Sequence, residues 1–101
     1  MSSGRAYVLG AGLSGLAAAS ALAEAGKQVT LIEAAPQAGG RCRSFFDKQL
    51  GADIDNGNHL VLSGNRDAMR YLKRIHALDT IDILPAHFQF CDVGQAMSWT
   101  L

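Results

Sequence analysis

Three clusters of residues in this chain have the types and the spacing to do chemistry. The first is Gly10-Ala11-Gly12-Leu13-Ser14-Gly15, which follows the apolar Tyr7-Val8-Leu9 and opens an alanine-rich stretch. Its partner is Glu33, at the end of Val29-Thr30-Leu31-Ile32 and 23 residues after Gly10. Glycines free a backbone to turn tightly or to approach an anion. The first amides of a helix offer unpaired N–H groups with the helix dipole behind them. An acid about 20 residues further on can accept both hydroxyls of an adenosine ribose. Strand, glycine turn, helix, strand and acid in that order form the fingerprint of a dinucleotide-binding βαβ unit. On this reading Gly10 makes the turn, Gly12 clears the path of a pyrophosphate, and Gly15 lets helix and strand pack. Leu13 and Ser14 contribute first-turn amides. Glu33 would repel a 2′-phosphate, which disfavours NADP. The plain alternative is a tight glycine turn in an α/β fold that binds nothing.

The second cluster is Gly39-Gly40-Arg41, within Pro36-Gln37-Ala38-Gly39-Gly40-Arg41-Cys42-Arg43. A glycine pair lets the backbone pass close to a ligand, and a guanidinium beside it can pair with phosphate oxygens. The third is Asp55-Asn56-Gly57-Asn58-His59. His59 is the candidate proton donor, although a histidine beside an apolar run also serves as a structural hydrogen-bonder. Asp55 has a structural alternative of its own, bonding nearby turn amides. Cys42 and Cys91 have no CxxC or metal-type spacing and are expected to be buried or inert. The sequence contains no Ser-His-Asp constellation and no metal-ligand cluster.

The elements that must position these residues follow from pattern. Residues 5–9 read as a buried parallel strand. Residues 13–25 are strong helix formers with Leu13, Leu16, Ala17 and Leu22 on the buried side, and Gly26 caps the helix. Residues 28–33 form the second strand, and 34–41 a loop broken by Pro36 and the glycine pair. Residues 44–46 and 50–54 read as short extended segments around an Asp47-Lys48 turn. Asn56-Gly57 is another turn, and 59–62 a short strand or helical turn. Asn65 is placed to cap a helix over about residues 66–76, with Met69, Leu72 and Ile75 on one face. Arg66, Arg70, Lys73 and Arg74 lie elsewhere on it, as a solvated face or as phosphate contacts. Residues 88–92 and 97–101 flank Val93-Gly94-Gln95 as a β-hairpin.

Composition narrows the classes further. The chain has 101 residues, 49% hydrophobic and 18% charged, with no formal net charge. That is apolar enough for a core, argues against disorder, and leaves no long-range field for nucleic acid. No apolar run reaches the roughly 18 residues of a membrane span. Two cysteines fit a reduced, cytoplasmic setting. The length is short for a complete dinucleotide-binding domain, so the stretch reads as the N-terminal part of a longer protein.

Placed directly after the ribose-binding acid, Gly39-Gly40-Arg41 is similar to the second cofactor motif of the FAD-dependent amine oxidase and phytoene desaturase superfamily. Within it, the segment Asp55 to Gly64, followed by a helix with Arg70, Leu72 and Arg74, resembles the hydroxysqualene dehydroxylases. These are squalene-associated flavoenzymes of bacterial hopanoid synthesis. Members carry an Asp-Asn-Gly-Gln-His segment; here Asn58 stands in place of the glutamine, an amide kept but shortened. The resemblance spans essentially the whole chain, with residues 5–76 matching by motif and the last 25 by pattern.

The resemblance implies FAD as cofactor and an α/β fold, an incomplete Rossmann-like FAD-binding unit of the glutathione-reductase type followed by the start of a β-rich substrate domain. Residues 1–80 would belong to the first and 81–101 to the second. It places Asp55 to His59 near the isoalloxazine, with Gly57 allowing close approach and Asn56 or Asn58 bonding the ring edge. The implied reaction turns hydroxysqualene and reduced FAD into squalene, water and oxidised FAD. The partner is then an apolar isoprenoid, and peripheral membrane association through parts outside this stretch stays open. Two alternatives remain: an oxidative member of the superfamily, and a non-catalytic dinucleotide-binding module.

Overall fold

The computed structural model describes residues 4–57 and 60–101. Strand β1 (Arg5–Leu9), helix α1 (Leu13–Glu24) and strand β2 (Gln28–Ile32) form the expected βαβ unit. The two strands are parallel, in register from Arg5 opposite Gln28 to Leu9 opposite Ile32. This register puts Ala6, Val29, Val8 and Leu31 on one face of the pair. Helix α1 packs on both strands. The other face carries Tyr7, Leu9 and Ile32, all exposed.

Helix α1 forms because six alanines and three leucines lie within residues 13–25. It stops where Gly26 takes a left-handed φ of 78°. The Gly26 and Lys27 N–H groups then donate back to the Ala23 and Leu22 carbonyls, closing the last turn. Leu16, Ala17 and Leu22 are half-buried as expected. Leu13 is not: it is 54% exposed.

Strands β3 (Ser44–Asp47) and β4 (Ala52–Asp55) make an antiparallel hairpin, Ser44 opposite Asp55. Its turn is held by the Asp47 carboxylate, which accepts the Gln49 and Leu50 amides at 2.8 and 2.9 Å. Strands β5 (Gln89–Asp92) and β6 (Met97–Thr100) form the second hairpin, turned in the same way by Asp92 accepting the Gly94 and Gln95 amides. Between the hairpins lie helix α2 (Arg66–Arg74) and a 3₁₀ turn, Leu78–Thr80. Residues 60–64 and 82–88 have no regular structure.

Asn65 precedes α2 but its side chain makes no capping bond, contrary to expectation; Asp67 is the acid in the first turn. The helix ends at Arg74, two residues short of the expected limit. His76 adopts a left-handed φ of 56° there. Met69 and Leu72 are half-buried, whereas Ile75 is exposed. Arg70 pairs with Asp67 and Arg74 reaches Glu24 of α1 at 2.8 Å. The guanidiniums of these two arginines are therefore engaged by carboxylates, which favours the solvated-face reading of α2.

Candidate functional site

The three glycines of the first motif have three different physical reasons to be glycine. Gly10 takes φ 94°, a conformation L side chains rarely adopt, and so ends β1 in a sharp turn. A Cβ on Gly15 would lie 1.8 Å from the Gly10 carbonyl oxygen, so only glycine lets α1 pack on the turn. Gly12 meets neither requirement. Its φ and ψ are −72° and −179°, and a Cβ there would meet nothing within 4 Å. Nothing in the fold demands glycine at 12; the open space in front of it is where a ligand would come.

The amides around that space suit an anion. The helix bonds begin with the Leu16 N–H donating to Gly12 at 2.9 Å. Leu13, Ser14 and Gly15 lie before that point, in the turn whose N–H groups have no intrahelical acceptor. Leu13 and Ser14 are exposed. A phosphate placed there would meet both amides and the positive end of the α1 dipole.

Glu33 follows β2 directly and its carboxylate is anchored to backbone. One oxygen accepts the Ala11 N–H at 2.5 Å and the other the Ala35 N–H at 2.9 Å. The Ala35 bond, then that of Ala11, holds its pKa below the ordinary glutamate value, against a smaller opposing effect of burial. An ionised carboxylate has about four acceptor sites. Two are taken, so one per oxygen is left for two vicinal hydroxyls.

The second motif packs directly against the first. The Gly39 N–H donates to the Ala11 carbonyl at 2.7 Å. A Cβ on Gly40 would come within 3.2 Å of the Gly12 Cα, and one on Gly39 within 2.7 Å of the Cys42 carbonyl oxygen. Both glycines are left-handed, at φ 113° and 59°. They are thus required by the loop's fit on the glycine turn, before any ligand is considered. Arg41 follows at once, exposed and without an ion-pair partner among the described residues.

The third segment is tied to the second. The Asn56 N–H donates to the Arg43 carbonyl, and its side-chain amide donates to the Arg41 carbonyl at 2.8 Å. Asn56 therefore commits one side-chain N–H to the loop and keeps the other, with its side-chain oxygen, for a ligand. Asp55 accepts the Ser44 hydroxyl across the hairpin rather than turn amides. Gly57 has φ 148°. Asn58 and His59 lie outside the described residues. Arg41, Cys42, Arg43, Asp55, Asn56 and Gly57 line a groove of about 820 Å³. Cys42 and Cys91 are both exposed free thiols, so of the expected buried or inert state the burial does not hold.

One residue escaped the sequence reading. Ala11 is 1% exposed, the one buried residue among those described. Its N–H goes to Glu33 and its carbonyl receives Gly39, so all three elements of the site meet on its peptide groups. The available signal was a small residue between two glycines, which by itself says little.

With this geometry in place, the comparison with known proteins is decisive. Residues 13–96 match the family described as flavin containing amine oxidoreductase. The chain belongs to that family. It is also similar to the hydroxysqualene dehydroxylase of Zymomonas mobilis, at 49% identity over 94% of the chain and 23% of that protein. The hydroxysqualene dehydroxylase of Rhodopseudomonas palustris is 51% identical over the same shares. An L-amino acid oxidase of Bothrops pictus is 39% identical over 69% of the chain and 14% of its own length. The chain thus spans about a quarter of the hydroxysqualene dehydroxylases it matches. A flavin-containing family is what the cofactor expectation required, and FAD is the flavin whose adenosine diphosphate half matches a βαβ unit.

Proposed function

We propose that this chain is the dinucleotide-binding part of a flavoenzyme that reduces hydroxysqualene to squalene. The observation that carries the reading is identity at about half of all positions, over 94% of the chain, with proteins named for that activity. The geometry supports the cofactor side of it. Gly12 leaves room for a pyrophosphate that the fold itself does not need. Glu33 has acceptor capacity for a ribose, and its charge would repel the 2′-phosphate of NADP.

On this reading the fold is the nucleotide-binding half of a glutathione-reductase-like FAD domain. Residues 1–80 belong to it, and the β5–β6 hairpin opens a substrate domain. Gly10, Gly12, Leu13, Ser14, Gly15 and Glu33 hold the adenosine diphosphate. Gly39, Gly40 and Arg41 cover its phosphates, and Asn56, Gly57 and Asn58 border the flavin. Reduced FAD bound there would supply a hydride to the carbon that loses its hydroxyl. The residues of this chain bind and orient the cofactor; none is assigned the acid that helps water leave. His59 is the candidate to test for that role.

The substrate is an apolar isoprenoid, which makes a membrane its reservoir and peripheral association a consequence. Among the described residues no helix is long and apolar enough to cross a membrane. Incubating the complete gene product with hydroxysqualene and reduced FAD should yield squalene; no squalene from a fully flavinated protein would defeat the proposal. The 39% identity to an L-amino acid oxidase favours an oxidative member of the family as the second reading. That protein would instead reduce its flavin on adding an amino acid.

A further inference from the structure

The junction at Ala11 assigns Glu33 a duty besides ribose recognition. The carboxylate accepts the Ala11 N–H from the middle of the glycine turn, and the Ala11 carbonyl accepts Gly39 from the opposite side. Ala11 is buried between these bonds. The residue after it, Gly12, faces the open phosphate space on one side and Gly40 on the other. The backbone at Ala11 that leads into the phosphate amides is therefore held by the acid placed to meet the ribose.

We infer that Glu33 is a positioning residue for the pyrophosphate cradle, acting through Ala11, so that recognition of ribose and of phosphate is coupled within the chain. The inference rests on the cofactor reading above and adds a claim to it. A carboxylate can accept from Ala11, Ala35 and two hydroxyls at once. A carboxamide cannot, because its NH₂ end would face one of the backbone donors. Glu33→Gln thus disturbs the turn whether or not a ribose is present.

The test uses the complete gene product freed of flavin, with ADP and 2′,3′-dideoxy-ADP as probes measured by titration calorimetry. The dideoxy compound keeps the phosphates and lacks both hydroxyls. Glu33→Gln should weaken dideoxy-ADP roughly tenfold to a hundredfold, the equivalent of losing a hydrogen bond to a charged group. If Glu33 touched only the ribose, the variant would lose affinity for ADP alone, and that result overturns the inference. Glu33→Asp keeps the carboxylate and shortens its reach to the Ala11 N–H. It should weaken dideoxy-ADP as well as ADP, so the question stays decidable should Glu33→Gln not fold; a loss confined to ADP would again overturn it. Wild-type protein that binds neither nucleotide would remove the cofactor site itself, and this coupling with it.

Discussion

Glycine at three positions spaced by a motif hides three separate causes. Gly10 answers to backbone conformation, Gly15 to packing, and Gly12 to neither. Gly12→Val should accordingly leave the far-UV circular dichroism of the protein almost unchanged while abolishing flavin retention through gel filtration. A variant that still carried stoichiometric flavin would displace the pyrophosphate from this turn. Glu33 gives a second residue-scale test. Its folded pKa lies below the ordinary glutamate value because the Ala35 and Ala11 amides favour the charged form. What those bonds contribute is present above the unfolded pKa of about 4.3 and is lost as pH falls through the lower folded value. Glu33 should accordingly take nothing from the melting temperature of the complete protein between neutrality and about pH 5, and lower it below that range. Glu33→Gln should lack this acid limb. The motif residues were legible because their spacing encodes backbone geometry. Ala11 was not, since the two bonds that make it central come from residues 22 and 28 positions away.

Local pattern was enough to place the elements, but not their ends. The parallel pair, α1, α2 and both hairpins lie where periodicity and turn residues put them. The C-terminal end of α2 depended on something a pattern does not carry, a left-handed His76, whereas its start at Arg66 lies where it was expected although Asn65 makes no capping bond. The exposure of Leu13 was equally hidden, because a helical pattern does not say how far the packed face extends. The tightest joint between elements is that of α1 with the glycine turn. Gly15→Ala would set a methyl 1.8 Å from the Gly10 carbonyl oxygen. Overpacking of this kind costs about 1–3 kcal/mol, so thermal melting should shift down by several degrees. Unlike Gly12→Val, this variant should lose stability and flavin together. The Arg74–Glu24 pair that links α2 to α1 is half-open to water, and breaking it with Arg74→Ala should cost less than about 1 kcal/mol in the same melt.

The whole chain is extended. Its radius of gyration is 18.6 Å, against about 13 Å for a compact domain of 100 residues. Among the described residues the three two-stranded sheets do not join, and each leaves apolar side chains uncovered. The outer face of β1 and β2 is one such surface; parallel sheets are normally covered on both faces. A further one is the β5–β6 face, with Phe88, Phe90, Met97, Trp99 and Leu101 on one side and Gln89, Cys91, Ser98 and Thr100 on the other. Expressed as these 101 residues alone, the chain should bind a hydrophobic dye such as ANS, melt without a cooperative transition, and take up FAD weakly. A sharp melt with stoichiometric flavin would show that the βαβ unit suffices by itself.

On that second hairpin, Phe90 and Trp99 stack with ring centroids 5.7 Å apart and planes 13° from parallel. Trp99 is the chain's sole tryptophan. Its emission is therefore an intrinsic optical label on one element, with no dye and no engineered residue. Within this chain it reads the hairpin, while the occupancy of the glycine turn is read by the flavin's own absorption. Two chromophores, one on each element, allow cofactor loading and hairpin burial to be timed separately in a single stopped-flow experiment.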